Sequence, residues 1–213
     1  MGRLITIERS SPADEVVRSA AEVLRKDGVI IYPTETLYGF GARADSSKGV
    51  QRILDIKGRG KEKGMLLLVP SAHFVQKLTT FIPQFARTLM EAFWPGPLTL
   101  IFRADPSIAK DVVGESGTVG VRLSSEPFCR MLLNEVQSPI TSTSVNYSGQ
   151  PPLCRSAEIR EKFADVVDLI VDAGDVIDAR PSTVVSCTEE RPKLIREGRI
   201  PKSQIESVLR TSL

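Results

Sequence analysis

The feature that most restricts the fold is a series of short apolar runs, each ending in hydroxyl, glycine or arginine residues and separated from the next by helical periodicity. VIIY (29–32), MLLLV (65–69), LTLIF (98–102), TVGVRL (118–123), PITSTSV (139–145), LIVD (169–172), STVVS (182–186) and PKLIR (192–196) read as strands. The first helix starts at Pro12, capped by Ser10 or Ser11, and stops at Asp27-Gly28; a second runs from about Ser46 to Lys57. FIPQFARTLMEAFW, ended by Trp94-Pro95-Gly96-Pro97, EPFCRMLLNEV, AEIREKF capped by Ser156, and PKSQIESVL opened by Pro201 supply the others. Strands and helices intermix without strict βαβ alternation. The expectation is one α+β domain over residues 1–213, built on a twisted, mixed β-sheet flanked by helices.

Several function classes are disfavoured. The 28 basic and 26 acidic residues leave a net charge of +2, so any attraction for anions must be local. Cys129, Cys154 and Cys187 have no zinc-ligand spacing and read as reduced thiols of a cytoplasmic protein. MGRLITIERSS lacks the apolar core of a signal peptide, and no run is long enough for a membrane span. His73 is the sole histidine and lies in the ordinary setting SAHFV, which disfavours imidazole catalysis. No Walker or Rossmann glycine motif follows a strand, and carboxylates are too sparse in the polar segments for a protein-built two-metal centre.

The polar segments PTETLYGFG, KGRGKEKG, TVGVR, TSTSVNYSG, PSTVV and LIREG each join a strand end to hydroxyl, amide, arginine or glycine residues. Each alone is a weak signal, because such residues are also turn formers. Together they point to one polar, basic cleft built from strand ends. In KGRGKEKG, four cations face a single Glu62, and Gly58, Gly60 and Gly64 give the backbone freedom to wrap a phosphate.

PTETLYGFG, KGR, WPGPLTLIF, TVGVRL, STSVNYSG, STVV and LIREG, in this order, resemble the YrdC-like family of threonylcarbamoyl-AMP synthases over about residues 15 to 200. The paired signature Lys57-x-Arg59 with Ser144-x-Asn146 is the most specific part. The resemblance implies a YrdC-like fold that joins L-threonine, bicarbonate and ATP into threonylcarbamoyl-adenylate and pyrophosphate, with Mg2+ accompanying the nucleotide and no metal ligand assigned to the protein. Other proteins would then transfer the threonylcarbamoyl group to tRNA. Carried over by motif, Arg59, Lys63, Thr118, Ser144, Asn146 and Arg196 would face ATP, with Lys57 and Arg59 as the catalytic cations. Thr36, Arg122, Ser142 and Ser182 would face threonine, Arg122 being suited to a carboxylate. Gly60, Gly64 and Leu68 depart from the common pattern, which has prolines in this loop and a histidine where Leu68 stands. The glycines imply a more mobile loop, and the leucine removes one threonine contact.

Two other readings stay open: an RNA-binding module of the same fold, and a diverged paralogue using another acceptor. The low net charge disfavours strong RNA binding. Within KGRGKEKG the resemblance gives Arg59 a role and Lys61 none. In a pyrophosphate-release assay, Arg59→Ala should cut turnover by about 10², equivalent to about 3 kcal/mol of transition-state stabilisation. Lys61→Ala should change it little, and equal losses at both positions would reduce the loop to a generic basic patch.

Overall fold

The computed structural model describes residues 2–58, 60 and 64–212. Its elements run β1 (Arg3–Thr6), α1 (Asp14–Arg25), β2 (Ile30–Tyr32), β3 (Gly39–Gly41), α2 (Ser47–Lys57) and β4 (Leu66–Leu68). A 3-10 turn (Ala72–Lys77) leads to α3 (Gln84–Phe93), β5 (Leu98–Arg103), α4 (Lys110–Val113), β6 (Thr118–Arg122) and α5 (Pro127–Val136). Then come β7 (Ile140–Thr141), β8 (Thr143–Ser144), α6 (Ser156–Phe163), β9 (Leu169–Asp172), β10 (Thr183–Ser186), β11 (Lys193–Arg196) and α7 (Lys202–Leu209).

The α+β class stands, with the strands divided between two mixed sheets instead of gathered in one. A five-stranded sheet has the order β1-β9-β2-β3-β8, and a six-stranded sheet has the order β11-β10-β5-β6-β4-β7. The segment read as one strand, PITSTSV, crosses between them. Thr141 pairs with Leu67 of β4, whereas Thr143 pairs with Phe40 of β3. Ser142 lies at the crossover, with its N–H donated to Leu66 O at 2.9 Å.

Strand alternation explains the core. Val29 and Ile31 enter the large apolar cluster, while Ile30 and Tyr32 enter a second one with Val17, Ala20 and Leu24 of α1 and Phe128 and Leu132 of α5. With both faces of β2 buried, its sequence has to be a continuous apolar run. In the six-stranded sheet, Leu67, Leu98, Leu100, Phe102, Val119, Val121 and Val185 fill the large cluster. The intervening Leu66, Thr99, Thr118, Gly120 and Arg122 therefore line the opposite face, away from that core.

Several local expectations need correction. PTETLYGFG is not wholly a loop, because its GFG end pairs with β2 as β3. The first helix has Ala13 at its N-cap with no side-chain cap, so neither Ser10 nor Ser11 serves. Ser156 is inside α6 and not its cap; its N–H is held at 2.8 Å by the Asp175 carboxylate. Ser46 does cap α2, accepting from Gly49 N at 3.0 Å. No described helix is long and apolar enough to cross a membrane.

Gly198, in LIREG, shows how tightly the last strand pair seats the segment before β10. A Cβ there would meet the Pro181 carbonyl oxygen and lie 2.5 Å from Ser182 C. Gly198→Ala should cost about 1–3 kcal/mol through overpacking, lowering Tm by at least about 2 °C. Thermal unfolding tests this, and an unchanged Tm would show that residues 181–182 yield freely.

Candidate active site

Arg122 ends β6 with its side chain 2% exposed. It is directed to the PTET turn, where Nη1 donates to Thr36 Oγ1 at 2.9 Å and Nε lies 3.4 Å from Glu35 Oε1. The turn is shaped by Thr34, whose Oγ1 accepts from the N–H groups of Thr36 and Leu37 at 3.1 and 3.2 Å. This is a side chain standing in for a backbone acceptor. Arg9 clamps the turn from outside, donating to Thr34 O at 2.5 Å and pairing with Glu126 at 3.1 Å. Burial raises the Glu126 pKa, against the lowering effect of Arg9.

Ser142 faces this turn because Gly39 has no side chain: a Cβ at 39 would lie 2.8 Å from Ser142 Oγ. Ser182 Oγ is 2.8 Å from Thr99 Oγ1, and Arg196 donates to Ser182 O at 3.0 and 3.2 Å and to its Oγ at 3.3 Å. Thr36, Arg122, Ser142, Ser144, Ser182 and Arg196 thus line one cavity of about 470 Å³. An adjoining groove of about 270 Å³ shares Gly64, Leu66, Ser182 and Arg196 and continues over Thr118 and Ile101. The cavity contains two guanidinium groups. Partial withdrawal from water, then the charge of Arg122, lowers the Arg196 pKa, but a guanidinium remains protonated.

Lys57 is not among the residues that line the cavity. It is buried and donates to Ser144 O at 2.5 Å and to Asn146 O and Oδ1 at 3.0 Å each, above the Phe40 ring. Asn146 Oδ1 also accepts from Ser144 Oγ at 2.6 Å, and its Nδ2 donates to Gln150 O at 2.7 Å. The two halves of the paired signature therefore hold each other. Asn146 is likewise outside the cavity lining. Arg59, Lys61 and Lys63 lie outside the described residues.

Leu68 pairs opposite Arg122 and packs with Tyr32, Leu132 and Ile140, so hydrocarbon occupies that place. His73 lines a separate depression with Arg87, Glu91 and Trp94. Sequence reasoning missed Thr34, Glu35 and Thr99. The first two lay within the quoted PTET motif, and the third is marked by alternation along LTLIF.

A family model for Sua5/YciO/YrdC, described as telomere recombination, matches residues 22–198. The chain belongs to the Sua5/YciO/YrdC family. Among its relatives in this family, the threonylcarbamoyl-AMP synthase of Bacillus subtilis is 35% identical over 93% of this chain and 58% of the relative. That of Pyrococcus abyssi is 33% identical over 91% of the chain and 57% of the relative. The chain therefore spans less than two thirds of the length of these relatives. The synthase of Idiomarina loihiensis is shorter, 34% identical over 78% of the chain and 91% of the relative. P. abyssi Sua5 complexed with L-threonine superposes with a TM-score of 0.91 at 32% identity, covering 97% of this chain and 60% of that one. Escherichia coli YciO superposes at 0.86 and 27% identity, covering 93% and 97%.

Within this Sua5/YciO/YrdC site, Lys57→Met should act through position. It removes the ammonium donor from two carbonyls, at a cost of about 2–4 kcal/mol. Urea unfolding should show that loss, with an NMR shift change centred on residues 144–150. A wild-type midpoint would mean that water replaces the ammonium without penalty.

Proposed function

We propose that this chain is an L-threonylcarbamoyl-AMP synthase acting as a nucleotidyltransferase, folded as a single unit across residues 1–213 and working in the cytoplasm. The carrying observation is one cavity lined by a buried arginine, a second arginine and several hydroxyls, and adjoining a groove. That the synthase relatives are so named, and that P. abyssi Sua5 binds L-threonine, support the same reading.

In this reading the carboxylate of L-threonine lies on the Nη edge of Arg122, and the hydroxyls of Thr36, Ser142 and Ser182 orient the rest of the amino acid. The amine adds to carbon dioxide derived from bicarbonate, losing a proton and giving a carbamate anion. The carbamate oxygen attacks the α-phosphorus of ATP as the bond to the bridging oxygen breaks. The products are a mixed anhydride and pyrophosphate. Arg196, with Arg59 and Lys63, meets charge developing on the phosphates, while Ser144 and Thr118 line the way to the nucleoside. Lys57 and Asn146 hold the backbone carrying Ser144.

Mg2+ would shield the phosphates when bound with the nucleotide. The product would pass to proteins that modify tRNA.

Pyrophosphate release from ATP that requires L-threonine, bicarbonate and magnesium together tests the reading. In that assay Arg122→Lys should raise KM for threonine at least about tenfold while KM for ATP changes little, because lysine keeps the charge and loses the planar fork. A shift in the ATP requirement alone would reassign Arg122 to the nucleotide.

A further inference from the structure

Glu35 is not among the residues lining the main cavity. It stands behind Arg122 and lines a neighbouring depression of about 280 Å³ with Arg9, Glu126 and Arg199. Thr36 lines both spaces and forms the wall between them. The Glu35 side chain is 11% exposed and that of Arg122 2%. Oε2 accepts a short hydrogen bond from Ser124 Oγ, whereas Oε1 faces Arg122 Nε at 3.4 Å as an ion pair, and neither Oε1 nor Nε has a hydrogen-bond partner. The contact is therefore electrostatic in its main effect. The carboxylate offsets part of the charge of Arg122 on its Nε side, while Nη1 is held by Thr36.

Arg196 is arranged differently. Its hydrogen bonds go to Ser182 O and Oγ, and among the described residues no carboxylate is paired with it. The two arginines of one cavity thus carry unequal net fields. A bare, buried guanidinium would bind any oxyanion, and a phosphate with two charges would outcompete an amino acid whose net charge is zero. A guanidinium already paired with a carboxylate loses that preference but keeps its directed N–H groups.

We propose that Glu35 is the specificity-determining residue at Arg122: by offsetting the charge of Arg122 on its Nε side, it makes that guanidinium a site for a zwitterionic amino acid and leaves phosphate to Arg196. The inference rests on the synthase reading for the identity of the amino acid. It does not rest on that reading for the exclusion of phosphate.

The test is calorimetric titration of the full chain with L-threonine at increasing inorganic phosphate, for wild type, Glu35→Gln, Glu35→Asp and Ser124→Ala. Removing a unit charge beside Arg122 should strengthen phosphate competition about tenfold or more in Glu35→Gln. Glu35→Asp should stay near wild type, and Ser124→Ala, which loosens the carboxylate, should fall between. Phosphate competition in Glu35→Gln within about twofold of wild type overturns the proposal, including the case where threonine binding alone weakens. If Glu35→Gln does not fold, Ser124→Ala decides, and unchanged competition there overturns it. If wild type binds no threonine, the synthase reading fails separately. Direct phosphate titration of wild type and Glu35→Gln then still measures the charge offset, with equal affinities counting against it.

Discussion

The backbone of residues 140–144 hydrogen-bonds with both sheets within five residues, and the site depends on that double membership. Ile140 and Thr141 complete the six-stranded sheet, and Thr143 and Ser144 complete the five-stranded one. Alternate residues of an extended chain direct their backbone groups to opposite sides, so one stretch can serve two sheets. Thr141 N–H goes to Ala42 O just beyond β3, and Ser142 N–H goes to Leu66 O of β4. Tyr32 reinforces the junction from below, its hydroxyl donating to Thr141 O at 2.9 Å. The hydroxyls of Thr36, Ser142 and Ser144 converge because the two sheets are joined here.

Charge in the cavity is arranged by depth. Among the described residues, the buried Arg122 is paired with Glu35 and braced by Thr36, while the more exposed Arg196 is held by Ser182. Burying an unpaired guanidinium would cost several kcal/mol, so the depth of Arg122 itself calls for a carboxylate nearby. The same pairing that permits burial sets what the cavity attracts. Stability and selectivity are thus linked through one ion pair.

The sequence was legible where local chemistry decides structure and opaque where tertiary pairing does. VIIY could be read as a buried strand because both of its faces enter cores, and Ser46 announced α2 by its cap. GFG could not, since glycine carries almost no strand preference and β3 exists by pairing with β2 and β8. PITSTSV looked like one strand because a change of partner at Ser142 leaves no mark on alternation. β1 was missed because its side chains are mostly exposed. For the site, motif order brought Thr36, Arg122, Ser142, Ser144, Ser182 and Arg196 to one cavity, whereas Lys57 is bonded to the backbone of Ser144 and Asn146 beside it. A lysine stem reaches either outward to a ligand or back to carbonyls, and only the packing of Phe40 and Asn146 settles which.

The seam at residues 140–144 also bears on how the protein avoids sticking to itself. β8 is the outermost strand of one sheet and β7 of the other, with two residues apiece, and the outer side of β7 is covered by residues 42–44, where Thr141 N–H meets Ala42 O and Ala44 N–H meets Pro139 O. Strands this short offer little template for a foreign strand. The remaining outer strands are β1 and β11, which begin with Arg3 and Lys193 and carry mostly exposed side chains. Cations on such borders make edge-to-edge addition of another copy electrostatically unfavourable. The join that assembles the cavity thereby also protects the chain against β-aggregation.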